Sequence, residues 1–221
     1  MVAGYLGEDM ALVIVAGASG QHAAVVYEAA ILSGLRVAGF ATIAGAAPTP
    51  MFDCQWLGII RDIGRAEILR SSTFIVACGS NTLRHKESEA LRAQGASLQS
   101  VCHPAAIVSP SAEIGSGSCI LAGAIIGPRA MLGRGVIINH AASVDHDCKI
   151  GDYSNISPGA RFGGCVTSGP RIFLGLNASV LQGLHIGADA TIGAGAVVTR
   201  RVDDSATVVG IPARQIVRLP D

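Results

Sequence analysis

The chain has 221 residues, of which 50% are hydrophobic but only 4% aromatic and 14% charged. Its 16 basic residues balance its 16 acidic ones, which excludes a global basic field for a nucleic-acid backbone and disorder driven by self-repulsion. No apolar run reaches the ~18 residues that a membrane span needs, and 28 glycines without a Gly-X-Y period exclude collagen.

In chain order, Met1 to Met10 reads as a loose leader, with Glu8 and Asp9 where an export signal would be basic. Residues 11–16 form a short apolar run that predicts a buried parallel strand. Gly17-Ala18-Ser19-Gly20 follows as a turn. A helix is expected over 21–33, with Val25, Val26, Ala29, Ala30 and Ile31 as its apolar face and Gly34 as its stop. Further strands are expected over 35–40 and 74–78. The turn Gly79-Ser80-Asn81 leads into a polar helix over 82–94, and a strand over 98–102 ends at His103-Pro104. This βαβ rhythm predicts an α/β domain over residues 1–105, with a small parallel sheet covered by helices in a Rossmann-like manner.

Turns at the carboxyl ends of parallel strands cluster on one edge, where ligands bind. Gly17, Ala18, Ser19 and Gly20, with Gly79, Ser80 and Asn81, are therefore candidates to hold a phosphate or a sugar. A tight strand-to-helix turn without a ligand is the alternative for each.

The remainder, residues 106–221, is dominated by a period of six. Ile114, Ile120, Ile126, Leu132, Ile138, Val144, Ile150, Ile156, Phe162, Ser168, Leu174, Val180, Ile186, Ile192 and Val198 fall in one register, with only Ser168 polar. Glycine follows at 115, 127, 133, 151, 163, 169, 175, 187 and 193, and a small residue commonly stands four places on. Such a period builds a prism of stacked coils, with the aliphatics pointing to the axis. Glycines and small residues are expected to let the chain turn sharply at the corners. A lone prism should expose aliphatic-rich faces, which predicts a homotrimer.

The hexads resemble those of the hexapeptide transferases, and Gly210-Ile211-Pro212-Ala213-Arg214 resembles the segment that closes many of them. That resemblance implies an all-β left-handed parallel β-helix, with three hexads per coil and so five coils from these fifteen. With the N-terminal domain, His103-Pro104 and the stretch from Ile138 to Ala160, the chain is similar to sugar acetyltransferases of the sialic-acid and bacillosamine type. The resemblance implies an acetyl-CoA-dependent N-acetyltransferase acting on the 4-amine of a nucleotide-linked 4-amino-dideoxy sugar. It also implies a homotrimer with its active site between subunits and a place in lipopolysaccharide O-antigen biosynthesis. O-acetylation of a sialic-acid-like sugar and a non-catalytic β-helix scaffold are the alternatives.

Within that resemblance, His146 is the expected general base and Asp147 its orienting carboxylate. Gly164 is the expected oxyanion donor and a contact to the acetyl donor. Asn155 stands where some relatives carry a second histidine touching acetyl-CoA. Gly193 and Ala194 match a pantetheine-binding stretch. Arg200, Arg201, Arg214 and Arg218 gather positive charge suited to phosphates, and Arg214 is taken as a cofactor contact. His140 is expected to line the sugar site or cap a corner. The histidine after the glycine turn, His22, falls one place late. Ala41-Thr42 occupy the place where relatives that bind UDP-sugars carry two aspartates, so a guanine nucleotide is favoured.

No metal is expected. Zinc, as in β-helical carbonic anhydrases, would need three converging histidines, and His185 is out of step with His140 and His146. Cys54, Cys78, Cys102, Cys119, Cys148 and Cys165 form no CxxC pair and are read as reduced core thiols of a cytoplasmic protein.

Overall fold

The computed structural model describes residues 10–17, 20–45, 53–62, 68–69 and 71–216. Ala18 and Ser19 of the first glycine turn, and Arg218, lie outside the described residues.

The first unit is a five-stranded parallel sheet in the order β3-β2-β1-β4-β5. Its strands are β1 (Ala11–Ala16), β2 (Val37–Thr42), β3 (Trp56–Ile59), β4 (Ser72–Ala77) and β5 (Ser97–Leu98). Central β1 is buried on both sides, so it reads as an unbroken apolar run without alternation. Leu12 and Ile14 pack under α1 (Gln21–Leu32) with Val26, Ala29 and Ala30. Val13 and Val15 face the other way, in the cluster with Phe74, Val76 and Leu91 of α2 (Asn81–Ala93). Gly34 ends α1 with φ +80, as expected of a C′ glycine.

One strand is added to those expected, and two expectations are corrected. Trp56–Ile59 forms an edge strand that its short, glycine-containing sequence did not announce. Ala41 and Thr42 are buried inside β2 and do not follow it. The strand expected over 98–102 is divided, because Ser97–Leu98 joins the sheet while Val101–Cys102 pairs with Cys119–Ile120. The second unit's strand stack thus begins a few residues before 106.

That second unit is a parallel β-helix of two-residue strands on three faces. Each strand pairs with the one a coil away, as Ile126 does with Val144 and Val144 with Phe162. The outward residues of the first face include Ile125, Ser143, Arg161 and Ser179, and those of the second include Met131, Lys149 and Thr167. The third face carries Cys119, Ile137, Asn155 and Phe173. The hexad aliphatics from Ile120 to Val198 form one continuous buried core, apart from Ser168, whose hydroxyl accepts from Gly151 N (3.1 Å). The stack continues past Val198 through Val202 and Val208, and an antiparallel strand, Arg214–Ile216, closes it beside Ala213.

The glycines that follow the aliphatics do not act as turn residues. The left-handed backbone falls two places later, at Gly135 and Gly159 but equally at Arg129, Asp147, Cys165 and Asn177. The glycines are required by close stacking of the coils: a Cβ on Gly127 would lie 2.7 Å from His146 N, and one on Gly175 would lie 2.7 Å from Ala194 N. Outward positions are also less aliphatic than expected. Ile107, Ile125 and Met131 are exposed, but Glu113, Lys149, Arg161 and His185 are interleaved with them. The hexad constrains the inward residue and leaves its outward neighbour free.

Arg84 fastens the two units together. It is 1% exposed, and its guanidinium donates to Gly135 O (2.7 Å), Tyr153 O (2.7 Å) and Cys78 O (2.8 Å). Burial pulls it down to about 10, partly offset by Cys78, Cys119 and Tyr153, so it stays charged at neutral pH. A buried charge costs several kcal/mol unless its donors are matched, and here carbonyls of both units match them. Among the described residues no helix is long and apolar enough to cross a membrane.

Candidate active site

The edge between the first and second faces carries the expected catalytic pair. His146 and Asp147 occupy one corner, Arg129 the corner one coil before and Gly164 with Cys165 the corner one coil after. His146 Nδ1 lies 2.8 Å from Asp147 Oδ2. The Asp147 carboxylate also accepts two bonds from Arg129, Nε to Oδ1 (2.6 Å) and Nη2 to Oδ2 (2.8 Å). The Arg129 guanidinium, and then the imidazole, hold Asp147 well below the usual carboxylate range. An ionised carboxylate only accepts, so in the neutral imidazole the proton is on Nδ1 and the lone pair on Nε2. Asp145 Oδ1 accepts from His146 N (2.7 Å) and fixes the backbone beneath the ring.

Gly164 sits against that ring. A Cβ placed on it would lie 2.5 Å from both Cε1 and Nε2 of His146. Arg129 was missed in the sequence. The signal was present in the coil period, since Arg129–Asp147, Arg134–Asp152 and Arg171–Asp189 are all pairs with |i−j| of 18. Cys165 is exposed beside the pair, which corrects its assignment to the core, and Cys54 and Cys102 are only partly buried.

The strand-end turns form a second group. Gly17 follows β1, and a Cβ there would lie 3.2 Å from Cys78 Sγ, so Gly17 and Gly79 flank the point where strand order reverses. Gly20 precedes α1 with φ +65. The space beside Gly79 is open. Ser80 and Asn81 serve other ends: Ser80 Oγ caps α2 by accepting from Leu83 N (3.3 Å). Asn81 Nδ2 donates to Arg171 O (3.0 Å) and Ile172 O (2.9 Å), and its Oδ1 accepts from Arg84 (2.8 Å). The Asn81 side chain is thus committed to the junction, which corrects its expected role as a ligand contact.

This crevice meets the third face of the β-helix. Asn155 is buried there, with Nδ2 directed at Gly79 O (3.4 Å) and Oδ1 without a partner among the described residues. His22, in the first turn of α1, is held down to about 4 by burial, then by Arg84 and His140, so it is neutral at physiological pH. His140 stands on the edge between the third and first faces. Ala194 lies on that same edge further along the stack, beside Gly193, whose own N–H is taken by Val208 O (2.8 Å). At the end of the stack a cavity of about 290 Å³ is lined by Arg200, Arg201 and Arg214 among others.

The expected site residues thus fall in separate places within one chain. The His146 edge of the three-sided prism is opposite the third face, where the N-terminal unit packs.

Comparisons with known proteins agree with this architecture. The model of a family described as the hexapeptide repeat of succinyl-transferase matches residues 169–200. GDP-perosamine N-acetyltransferase of Escherichia coli O157:H7 is 34% identical over 152 residues, which are 66% of this chain and 69% of that one. Among solved structures, PerB from Caulobacter crescentus, in complex with CoA and GDP-perosamine, superposes with a TM-score of 0.85 at 37% identity, covering 94% of this chain and 97% of that one. The acetyltransferase domain of PglB from Neisseria gonorrhoeae, in complex with acetyl coenzyme A, gives 0.86 at 32% identity, covering 94% and 100%. The β-helix is accordingly left-handed, as in these acetyltransferases. With one relative 34% identical and a solved acetyltransferase matched along nearly its whole length, the chain belongs to the hexapeptide-repeat acetyltransferases, the family that includes GDP-perosamine N-acetyltransferase.

Proposed function

We propose that this protein transfers the acetyl group of acetyl-CoA to the 4-amine of a nucleotide-linked 4-amino-dideoxy sugar, with a GDP-linked sugar such as GDP-perosamine favoured. The observation that carries this reading is the His146–Asp147 pair, 2.8 Å apart, with Gly164 closed against the ring. It stands in a chain similar over nearly its whole length to a structure with CoA and GDP-perosamine bound. The sugar amine attacks the thioester carbonyl, and its proton passes to His146 Nε2. Asp147 holds the resulting imidazolium through Nδ1–H. The N–H of Gly164 has no acceptor among the described residues and would donate to the carbonyl oxygen as charge develops on it. The thiolate of CoA leaves and takes up a proton.

The Gly17–Gly20 turn and Gly79 would hold the nucleotide sugar, with His140 at the border. Gly164, Ala194 and Arg214 would follow the acetyl donor, and Asn155 remains a candidate contact at the crevice. Residues 43–45, just past β2, carry no carboxylate, which favours guanine over uracil. Six free cysteines support a reducing, cytoplasmic setting, and a role in O-antigen assembly goes with the sugar class.

The test is a thiol-release assay with acetyl-CoA against GDP- and UDP-linked 4-amino sugars. Turnover with a GDP-linked amino sugar is expected. Turnover only with the hydroxyl of a sialic-acid-like sugar would establish O-acetylation, and no turnover with any acceptor would leave a scaffold.

The separation of the two groups within one chain supports a site completed by another copy. The His146 edge and the nucleotide crevice are on opposite sides of the prism, so a direct transfer needs the crevice of one subunit facing the edge of its neighbour. Light scattering should give three times the 22.4 kDa chain mass. A monomer at working concentration would overturn the shared site.

A further inference from the structure

We propose that His146, Asp147 and Cys165 form an inhibitory site for a thiophilic divalent cation, of which Zn²⁺ is the type. This goes beyond the acetyl-transfer reading, and only its inhibitory consequence rests on that reading. One ligand atom from each residue, an imidazole nitrogen, a carboxylate oxygen and a thiol sulfur, lies within 4.8 Å of the others. The three come from two adjacent coils, and the hydrogen-bonded stacking of those coils fixes their separation: Cys165 N donates to His146 O (2.9 Å). Imidazole, carboxylate and thiolate are the three donors that zinc takes, at about 2.0–2.3 Å. Within one chain His146 and Cys165 are exposed and Asp147 half-buried, so the ligand atoms face the cleft that the substrates enter.

The geometry also says how binding would act. Nδ1 and Oδ2 are 2.8 Å apart with a proton between them. An ion entering there displaces that proton from Nδ1, the neutral imidazole then carries its proton on Nε2, and the sulfur supplies a third ligand while losing its own proton to solvent. Arg129 need not leave, because a carboxylate oxygen has lone pairs for both the guanidinium and the ion. Nothing is oxidised or reduced, and removal of the ion restores the pair. With Nδ1 bound to the ion and Nε2 protonated, His146 has no lone pair left to accept the proton of the amine, so acetyl transfer stops. Hard cations such as Mg²⁺ prefer all-oxygen sites and should leave the enzyme untouched.

The test uses the full-length protein, ZnCl₂ and CoCl₂ alone as probes, and the Cys165→Ala variant. Alanine is tolerated at this left-handed corner, because Ala141 occupies the corresponding place with φ 54. The variant should keep its activity in metal-free buffer. Zn²⁺ should inhibit the wild type reversibly, with activity recovered on chelation and no effect of Mg²⁺. In the variant the inhibitory midpoint should rise at least about tenfold, since even outer partners of metal ligands are worth 10–100-fold in affinity. Co²⁺ should give a thiolate-to-metal absorption band in the wild type that is missing from the variant. Equal inhibition of both proteins, or no thiolate band in the wild type, would overturn the site. A band that titrates fully while acetyl transfer continues would uphold the site and overturn the role of His146 as base.

Discussion

Replacing His146 with asparagine should lower kcat by about 10²–10⁴-fold, the range that general-base catalysis supplies. The substitution keeps a polar side chain at the corner but removes the lone pair at Nε2. The local fold should survive, because Asp145 Oδ1 binds the His146 backbone N–H and Cys165 N binds its carbonyl, and neither contact involves the ring. Melting temperature and oligomeric mass should be unchanged, and KM for both substrates should move little. Asp147→Asn should cost less, because it weakens the hold on Nδ1 and leaves the base in place. Asp147 is kept anionic far below neutral pH, mainly by Arg129. Its protonation therefore cannot account for an acid limb in the pH dependence of kcat/KM at ordinary pH. An unchanged kcat in the asparagine variant would reduce His146 to a positioning role, with the amine proton lost to water.

The β-helix was legible because its inward residues answer to one constraint repeated many times. Each aliphatic from Ile120 to Val198, Ser168 apart, packs on its counterparts in the same core, and a burial of roughly 1.5–3 kcal/mol per side chain is enough to hold the register. The alternation of strand and helix before it was legible for the same reason, through the buried runs of β1 and β4. What the pattern did not carry was the division of residues 98–102 between two units. Those residues are apolar in both settings, and only tertiary pairing decides which sheet each one joins. The role of the corner glycines was misplaced in a comparable way. Their spacing is periodic, but whether a glycine serves a turn or a close approach depends on the coil above it.

The catalytic pair was legible because its members are neighbours in sequence. Arg129 was not, because its partner is a full coil away, and only the 18-residue period makes them adjacent. Asn81 shows the opposite failure. Its position after a strand-end glycine suited a ligand, yet its amide bridges to Arg171 and Ile172, some 90 residues on. Local sequence gives no sign of that. The same junction places Arg84, a charged residue on a polar helix, at 1% exposure. A long polar side chain in a surface-like helix is ordinarily solvated, and here carbonyls from Gly135 and Tyr153 replace the water.

Gly164→Ala should lower kcat by about 10²-fold, the loss that a displacement near 1 Å can produce in a reacting group. The added methyl would stand 2.5 Å from Cε1 and Nε2 of His146, closer than real contacts allow, so something must move. The backbone at Gly164 is held from both sides of the corner: Cys165 N donates to His146 O and Gly183 N donates to Gly164 O, each at 2.9 Å. Gly164 is also not among the positive-φ positions, so alanine imposes no backbone strain. The ring is the softer partner, exposed and turning about its own side-chain torsions. It should swing outward, stretching the bond to Asp147 and drawing Nε2 away from the incoming amine. The variant should therefore melt like the wild type and bind both substrates with KM changed by no more than about twofold, with the loss falling on kcat. Wild-type kcat with an unchanged melting temperature would show that the ring is not held where the amine needs it, and the close packing of Gly164 on His146 would then have no part in transfer.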